Sequence, residues 1–339
     1  MCQLAAEVTG YSPGEFLPSS TGIIGHMLPM SKLERGIVEA GHALGSSRDH
    51  ALLFADAILT TDLKRKSAGV RFKIGRQVVT LAGVCKGSGM IGPRMSVDTP
   101  ADLRPSVAAK RSASTGPRTG RRRPLHATML AYLTTDASIS PVLLRRLMQQ
   151  ATDTSFNAVT VDDHTSTNDT AVLMASGLSG AKVSVGASLK SFTQALAEVS
   201  QSLAYQIAAD GEGATKVVKI EVRGCAKVEH ARAIARAIAN SPLVKCAMHG
   251  NDPNWGRIVS AAGLAGVPFD PERATLLLQG TPVFRSGRPV PFDAGKVSAT
   301  LAAPEVLVKL DCRLGDQSTT VWTCDFSKEY VTINADYHT

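Results

Sequence analysis

Apolar and polar side chains alternate at Val70-Arg71-Phe72-Lys73-Ile74, and a second apolar run follows at Val78-Val79-Thr80-Leu81. Alternation is the mark of a strand, whose successive side chains point to opposite faces. The intervening Gly75-Arg76-Gln77 supplies a turn, so the two runs predict a β-hairpin that carries Lys86, in Lys86-Gly87-Ser88-Gly89-Met90, to a strand end. Downstream the spacing becomes helical. Leu143, Leu144, Leu147, Met148 and Ala151 follow Ser140-Pro141, which reads as an N-cap and first-turn proline. Phe192, Leu196, Val199, Leu203 and Ile207 line one side of a second helix over 192–209, ahead of Gly211. Val218, Ile220 and Val222 share a strand face, and 229–240 is helical. Leu276 to Leu278, Pro282 to Phe284, Val306 to Leu310 and Val331 to Ile333 predict a strand-rich C-terminal third. This pattern favours a layered α/β sandwich over a helix bundle or an all-β barrel.

With 339 residues and 44% hydrophobic content, the chain can bury a large core, which excludes disorder throughout. Six cysteines without a C-x-x-C pair argue for reduced thiols rather than a disulfide framework or a structural zinc site, so no metal is expected. Continuous apolar stretches are too short to span a bilayer, so no membrane association is expected. The net charge is +8, and its distribution matters more than its total. Arg104, Lys110, Arg111, Arg118, Arg121, Arg122 and Arg123, against Asp98 and Asp102, place five of the eight net charges in a basic insertion, 96–126. That insertion lacks aromatic interleaving, which disfavours nucleic acid as a partner.

Five ordered motifs together resemble the ornithine acetyltransferase family, also called glutamate N-acetyltransferase. They are Ser20-Thr21-Gly22-Ile23-Ile24-Gly25; Lys86-Gly87-Ser88-Gly89-Met90-Ile91; Ala127-Thr128-Met129-Leu130 running into Thr134-Thr135-Asp136-Ala137; Thr165-Ser166-Thr167-Asn168-Asp169-Thr170; and Asp252-Pro253-Asn254-Trp255-Gly256-Arg257-Ile258. Ile333-Asn334-Ala335-Asp336-Tyr337 fits as well. The resemblance implies a two-domain α/β sandwich of that family's type, with an incomplete N-terminal domain, cut into an alpha-chain-like region 1–127 and a beta-chain-like region 128–339. The cleavage site would be Ala127-Thr128.

By the same resemblance, Thr128 attacks the Ala127 carbonyl to release itself. It then carries an acetyl group from N2-acetylornithine to glutamate in a ping-pong exchange. Elementary chemistry agrees, since a threonine hydroxyl needs a nearby base and the amine freed by cleavage can serve. The resemblance assigns the oxyanion donors to Thr21 and Gly22, and substrate contacts to Lys86, Thr128, Glu212, Asn334 and Thr339. No resident cofactor is implied. Some members of the family also accept acetyl-CoA, which makes it a candidate second substrate. Self-association of the two pieces as a heterotetramer is implied, and fungal-like motifs point to the mitochondrial matrix.

Plainer readings stand beside these. Thr21-Gly22 alone would be a turn, Glu212, Asn334 and Thr339 alone would be solvated polar groups, and Asn254 to Arg257 reads as packing around the indole. Lys86-Gly87-Ser88-Gly89 lacks the spacing of a Walker phosphate loop, and His126, beside the scissile bond, receives no catalytic role. Several positions depart from the family pattern. The basic insertion separates Lys86 from Thr128, Leu63 stands where a substrate-binding threonine is general, Arg94 replaces an asparagine, and Asp163-His164 replace Gly-Asp. These departures sustain a second reading, a truncated and catalytically impaired homologue acting at most as an assembly partner.

Overall fold

Three α-helices precede the hairpin, α1 (Cys2–Thr9), α2 (Met30–His42) and α3 (Arg48–Ala57), none of them predicted from the sequence, although Leu33, Ile37 and Val38 give α2 a clear apolar side. β1 (Lys66–Ile74) and β2 (Gln77–Lys86) then pair antiparallel from Lys66↔Cys85 to Ile74↔Gln77. The turn is the pair Gly75-Arg76, and Gly75 closes it at φ 60°, a left-handed conformation open to glycine at little cost. The computed structural model describes residues 1–96 and 128–336; all of the predicted basic insertion except Ser96 lies outside them. β3 (Leu130–Thr135) joins β2 antiparallel, with Lys86 opposite Leu130, and the short β4 (Ser138–Ile139) then leaves the sheet. α4 (Pro141–Asp153) starts as predicted, with the Ser140 hydroxyl accepting from Leu143 N–H. β5 (Thr170–Ala175) completes a sheet of order β1-β2-β3-β5, lying parallel to β3, and β6 (Lys182–Val183) pairs with β4.

α5 (Gly186–Ala209) begins earlier than its apolar spacing suggests and packs against β1 and β2 while also reaching β12. Its predicted stripe of Phe192, Leu196, Val199, Leu203 and Ile207 is buried throughout. The second sheet has the order β10-β9-β8-β11-β7-β12. Its members are β7 (Val217–Cys225), β8 (Thr275–Leu278), β9 (Thr281–Arg285), β10 (Arg288–Pro289), β11 (Glu305–Asp311) and β12 (Gln317–Cys324). The remaining helices are α6 (Val228–Asn240), α7 (Pro242–His249), α8 (Trp255–Gly263), α9 (Ala294–Leu301) and α10 (Lys328–Asp336). α6 buries Ala231, Ile234, Ala235 and Ile238 and packs on β7 and β12. Two sheets bridged by a helix form the layered α/β architecture expected, and one apolar cluster draws side chains from both sides of Thr128. No helix of the described residues is long and apolar enough to cross a membrane.

One element differs from expectation. Val331-Thr332-Ile333, read as a strand, lies in the middle of α10. Three β-branched residues express only a weak, context-dependent preference, which burial on a sheet would have to reinforce. No residue of α10 is buried, so that reinforcement is missing. Local chemistry favours the helix: Ser327 Oγ accepts from Glu329 N–H, and the Tyr330 ring packs on Phe326 with centroids 4.5 Å apart.

Leu203 is fully buried, and its carbonyl accepts from the Cys85 thiol across the contact with the first sheet. Leu203→Ala should therefore destabilise the protein by about 2–5 kcal/mol, read as a lower urea midpoint with little change in slope.

Candidate functional site

β2 ends at Lys86 because the chain turns sharply beyond it. Gly87 takes φ 153°, and a Cβ there would lie 2.9 Å from Ile91 Cδ1. Gly89 abuts Glu212, where a Cβ would come within 2.3 Å of the carboxylate. The turn is held by side chains distant in sequence. Asp62 Oδ1 accepts from Gly87 N–H at 2.7 Å, while Asp162 accepts from Met90 N–H at 2.8 Å and Ile91 N–H at 2.9 Å. Ser88 Oγ donates to the Asp210 carbonyl, and the Ser88 carbonyl accepts from Glu212 N–H. These bonds leave the Lys86 side chain fully excluded from solvent, its ammonium without a hydrogen-bond partner among the described residues. Burial pulls its pKa down to about 8, against the attraction of Asp62, Asp169 and Glu212 and with the repulsion of Lys66.

Thr128 precedes β3 and is 1% exposed. Its hydroxyl donates to Asn168 Oδ1 at 2.9 Å and lies 2.8 Å from Ser166 Oγ, which is itself 3.0 Å from the same amide oxygen. Asp169 builds this ring. One carboxylate oxygen accepts from Met129 N–H and the other from Ser166 N–H, so one side chain fixes both flanks of Thr128's surroundings. The Asn168 amide accepts a hydrogen bond and cannot serve as a general base, so activation of the Thr128 hydroxyl requires a base from elsewhere.

Glu212, just beyond α5, accepts from Asn334 Nδ2 at 3.1 Å. Burial pushes its carboxyl above the ordinary value of 4.5, opposed by the Asn334 bond and by the nearby Thr61 hydroxyl, which itself lacks good hydrogen-bond geometry to any partner among the described residues. Asp162 and Asp169 are likewise raised by burial. The structure thus gathers Lys86, Glu212 and Asn334 around one turn and ties Thr128 to the same neighbourhood through Asp169. Thr21 carries a buried hydroxyl without a partner among the described residues, two positions after Ser19, which bonds the Tyr132 hydroxyl on β3. Gly22 is half-buried in the same loop. Ala127, His126 and Thr339 lie outside the described residues.

Leu63 points outward at 83% exposure, offering no hydrogen bond from its side chain. Trp255 stacks on Phe284 at 5.3 Å and Asn254 caps α8, the packing role expected of that motif. Asp62, Asp162, Asp169 and Ser166 have places in the site that their sequence motifs did not disclose. A useful signal was available for Asp169, an acid inside the conspicuous Thr165-Ser166-Thr167-Asn168-Asp169-Thr170 motif. Among the described residues, no cluster of three or more His, Cys, Asp or Glu side chains could hold a metal ion.

A carboxyl whose pKa is raised by folding opposes stability only when ionised. That penalty is absent below the unfolded value of 4.5 and grows as pH rises through it toward the folded value. Glu212→Gln keeps an acceptor for Asn334 and removes the charge. Urea unfolding should therefore show the variant gaining stability relative to the native chain as pH rises above 4.5; a constant difference would contradict burial as the cause of the shift.

A profile of the ArgJ family matches residues 1–339. The arginine biosynthesis bifunctional protein ArgJ of Dehalococcoides mccartyi is 40% identical over 341 residues, covering 100% of this chain and 76% of that protein. Its namesake from Thermus thermophilus is 41% identical over 339 residues, covering 100% and 77%. The crystal structure of an ArgJ chain from Bacillus halodurans superposes with a TM-score of 0.59 at 37% identity, covering 60% of this chain and 97% of that one. Similarity of this extent, over the whole sequence and in the fold, decides the matter: the chain belongs to the ArgJ family.

Proposed function

We propose that this chain is a self-cleaving acetyltransferase of arginine biosynthesis. It splits before Thr128 and moves acetyl groups from N2-acetylornithine to glutamate through acetyl-Thr128. The observation that carries the reading is a pairing of two features: a water-excluded ammonium without a hydrogen-bond partner among the described residues, Lys86, and a buried hydroxyl held in a ring, Thr128. A buried polar group left unsatisfied is destabilising, so a ligand that satisfies it explains its retention. A substrate α-carboxylate suits Lys86, and Glu212 suits an ammonium.

In the first step Thr128 Oγ adds to the Ala127 carbonyl, its proton passes to the departing nitrogen, and the C–N bond breaks to leave an ester that water hydrolyses. The new α-amine supplies the base that Asn168 cannot. In turnover, Thr128 Oγ attacks the acetyl carbon and the ornithine amine leaves with a proton. The glutamate amine then takes the acetyl group by the reverse addition. Thr21 Oγ, buried without a partner among the described residues, and the Gly22 N–H are the donors proposed for the oxyanion.

The pieces would stay together, because β2 and β3 pair from Leu81↔Thr135 to Lys86↔Leu130 across the cut and share one core. A heterotetramer of two of each piece is part of the proposal, as is acetyl-CoA as a second donor. That three-fifths of this chain accounts for nearly all of the solved Bacillus halodurans chain supports a two-piece protein, since residues 128–339 form a similar fraction. The exposed side chain of Leu63 favours the second reading, an impaired assembly partner, and the same experiment separates the two.

Expression of the full chain should yield two intact masses, one ending at Ala127 and one beginning at Thr128; Thr128→Ala should leave a single chain. A folded, uncut native chain would remove the self-cleavage claim, and a cut chain that transfers no acetyl from N2-acetylornithine to glutamate would favour the impaired reading. Lys86→Met should raise KM about tenfold or more, the scale of a lost hydrogen bond to a charged group. Because the ammonium loses its proton as pH rises through about 8, KM of the native enzyme should climb above that pH and stay level below it. A KM that is flat across that range would exclude Lys86 as the carboxylate contact.

A further inference from the structure

A buried ion cluster adjoins the turn that follows Lys86. The Lys66 ammonium donates to Asp62 Oδ1 at 2.6 Å and to Asp210 Oδ2 at 2.5 Å, and all three side chains are nearly or fully excluded from solvent. Asp62 spends its remaining capacity on backbone. Oδ1 also accepts from Gly87 N–H, and Oδ2 accepts from Thr60 N–H at 3.2 Å. Asp210 accepts from Leu63 N–H and Lys64 N–H, while its carbonyl takes the Ser88 hydroxyl. One buried cation thereby ties the loop 60–66 and the end of α5 to the residues immediately following Lys86.

Burying such a cluster is a weak source of stability, since desolvation of the ions offsets most of their attraction. Placing a second buried lysine close by adds like-charge repulsion between Lys66 and Lys86. Packing therefore gives no reason for this arrangement, whereas holding a reactive cation in place does.

We propose that Asp62 is the positioning residue of Lys86: by binding Gly87 N–H from its anchorage on Lys66, it fixes the turn that keeps the Lys86 ammonium out of water beside Glu212 and Asp169. This inference rests on the reading of Lys86 as the contact for a substrate carboxylate. The negative charge of Asp62 also has an electrostatic consequence. The groups acting on Lys86 are Asp62 and Lys66 from the loop 60–66 and β1, Asp169 from the segment before β5, and Glu212 from beyond α5. Among these, the three carboxylates favour the ammonium and Lys66 opposes it, so the two members of the ion pair act on Lys86 with opposite signs.

That opposition gives a test that a merely structural role would not pass. In the full chain with 13C-labelled lysine, the Cε resonance of Lys86, assigned by Lys86→Arg, is followed against pH. Asp62→Asn should lower the titration midpoint by roughly one pH unit, and Lys66→Met should raise it. Should Asp62→Asn fail to fold, the Asp62→Asn/Lys66→Met double variant removes both ions together, and its midpoint should fall below the native one. A midpoint that stays in place, or moves the same way in both single variants, overturns the proposal. The titration needs no turnover. Opposite shifts without acetyl transfer would count against the proposed reaction alone, and transfer with unmoved midpoints would count against Asp62 alone.

Discussion

A lysine side chain cannot be taken out of water without something to hold it there, and most of the site follows from how this is done for Lys86. The strand that carries it is anchored by cross-strand pairing up to Leu130, so the backbone is fixed on one side. Beyond it, Gly87, Gly89 and Met90, the last at φ 52°, make a turn that no continuing strand could follow. Such a turn would expose backbone N–H groups to an apolar interior. Carboxylates from remote segments satisfy them instead, Asp62 at Gly87 and Asp162 at Met90 and Ile91. The same device recurs at Thr128, where Asp169 binds Met129 and Ser166 N–H groups. Buried acids that hold backbone, rather than catalytic side chains alone, give the site its shape.

This division explains what could be read from sequence. The hairpin, the Ser140-Pro141 helix start, the α5 stripe and the strand through Val218, Ile220 and Val222 were legible because each is encoded by local periodicity or capping. α10 was not, since its β-branched triplet outweighs its helix signals when the Ser327 cap and the Tyr330 contacts are unseen. Lys86, Glu212 and Asn334 were recognisable only through family resemblance, and the structure places them together. The roles of Asp62 and Asp162 escaped because each partners a backbone amide far away in the chain, and no spacing rule connects an acid to a distant N–H.

Departures from the family pattern have unequal consequences, and geometry separates them. Asp163, where the resemblance implies glycine, takes φ 62°, a left-handed conformation that aspartate adopts more readily than most side chains but less freely than glycine. Glycine at 92 faces the same backbone, and a Cβ there would lie 2.6 Å from the Asp163 carbonyl carbon, so the approach is too close to relax by shifting the chain. Arg94, the other unusual residue of this region, bonds the Asp163 carboxylate at 3.0 Å. An exposed pair of this kind returns up to about 1 kcal/mol, which offsets part of the strain. Thr160 Oγ1 also accepts from Asp163 N–H, and the Thr165 hydroxyl donates to the Gly92 carbonyl, so the segment leading to Ser166 keeps its path. Arg94 and Asp163 are therefore partners in one ion pair, and their effects on the segment should be judged together. Leu63 has no such compensation. Its backbone is held by Asp210, but its exposed side chain offers no polar atom. Under the proposed function, the weight of substrate recognition on this side of the site would thus fall on Lys86 and on the acids around its turn.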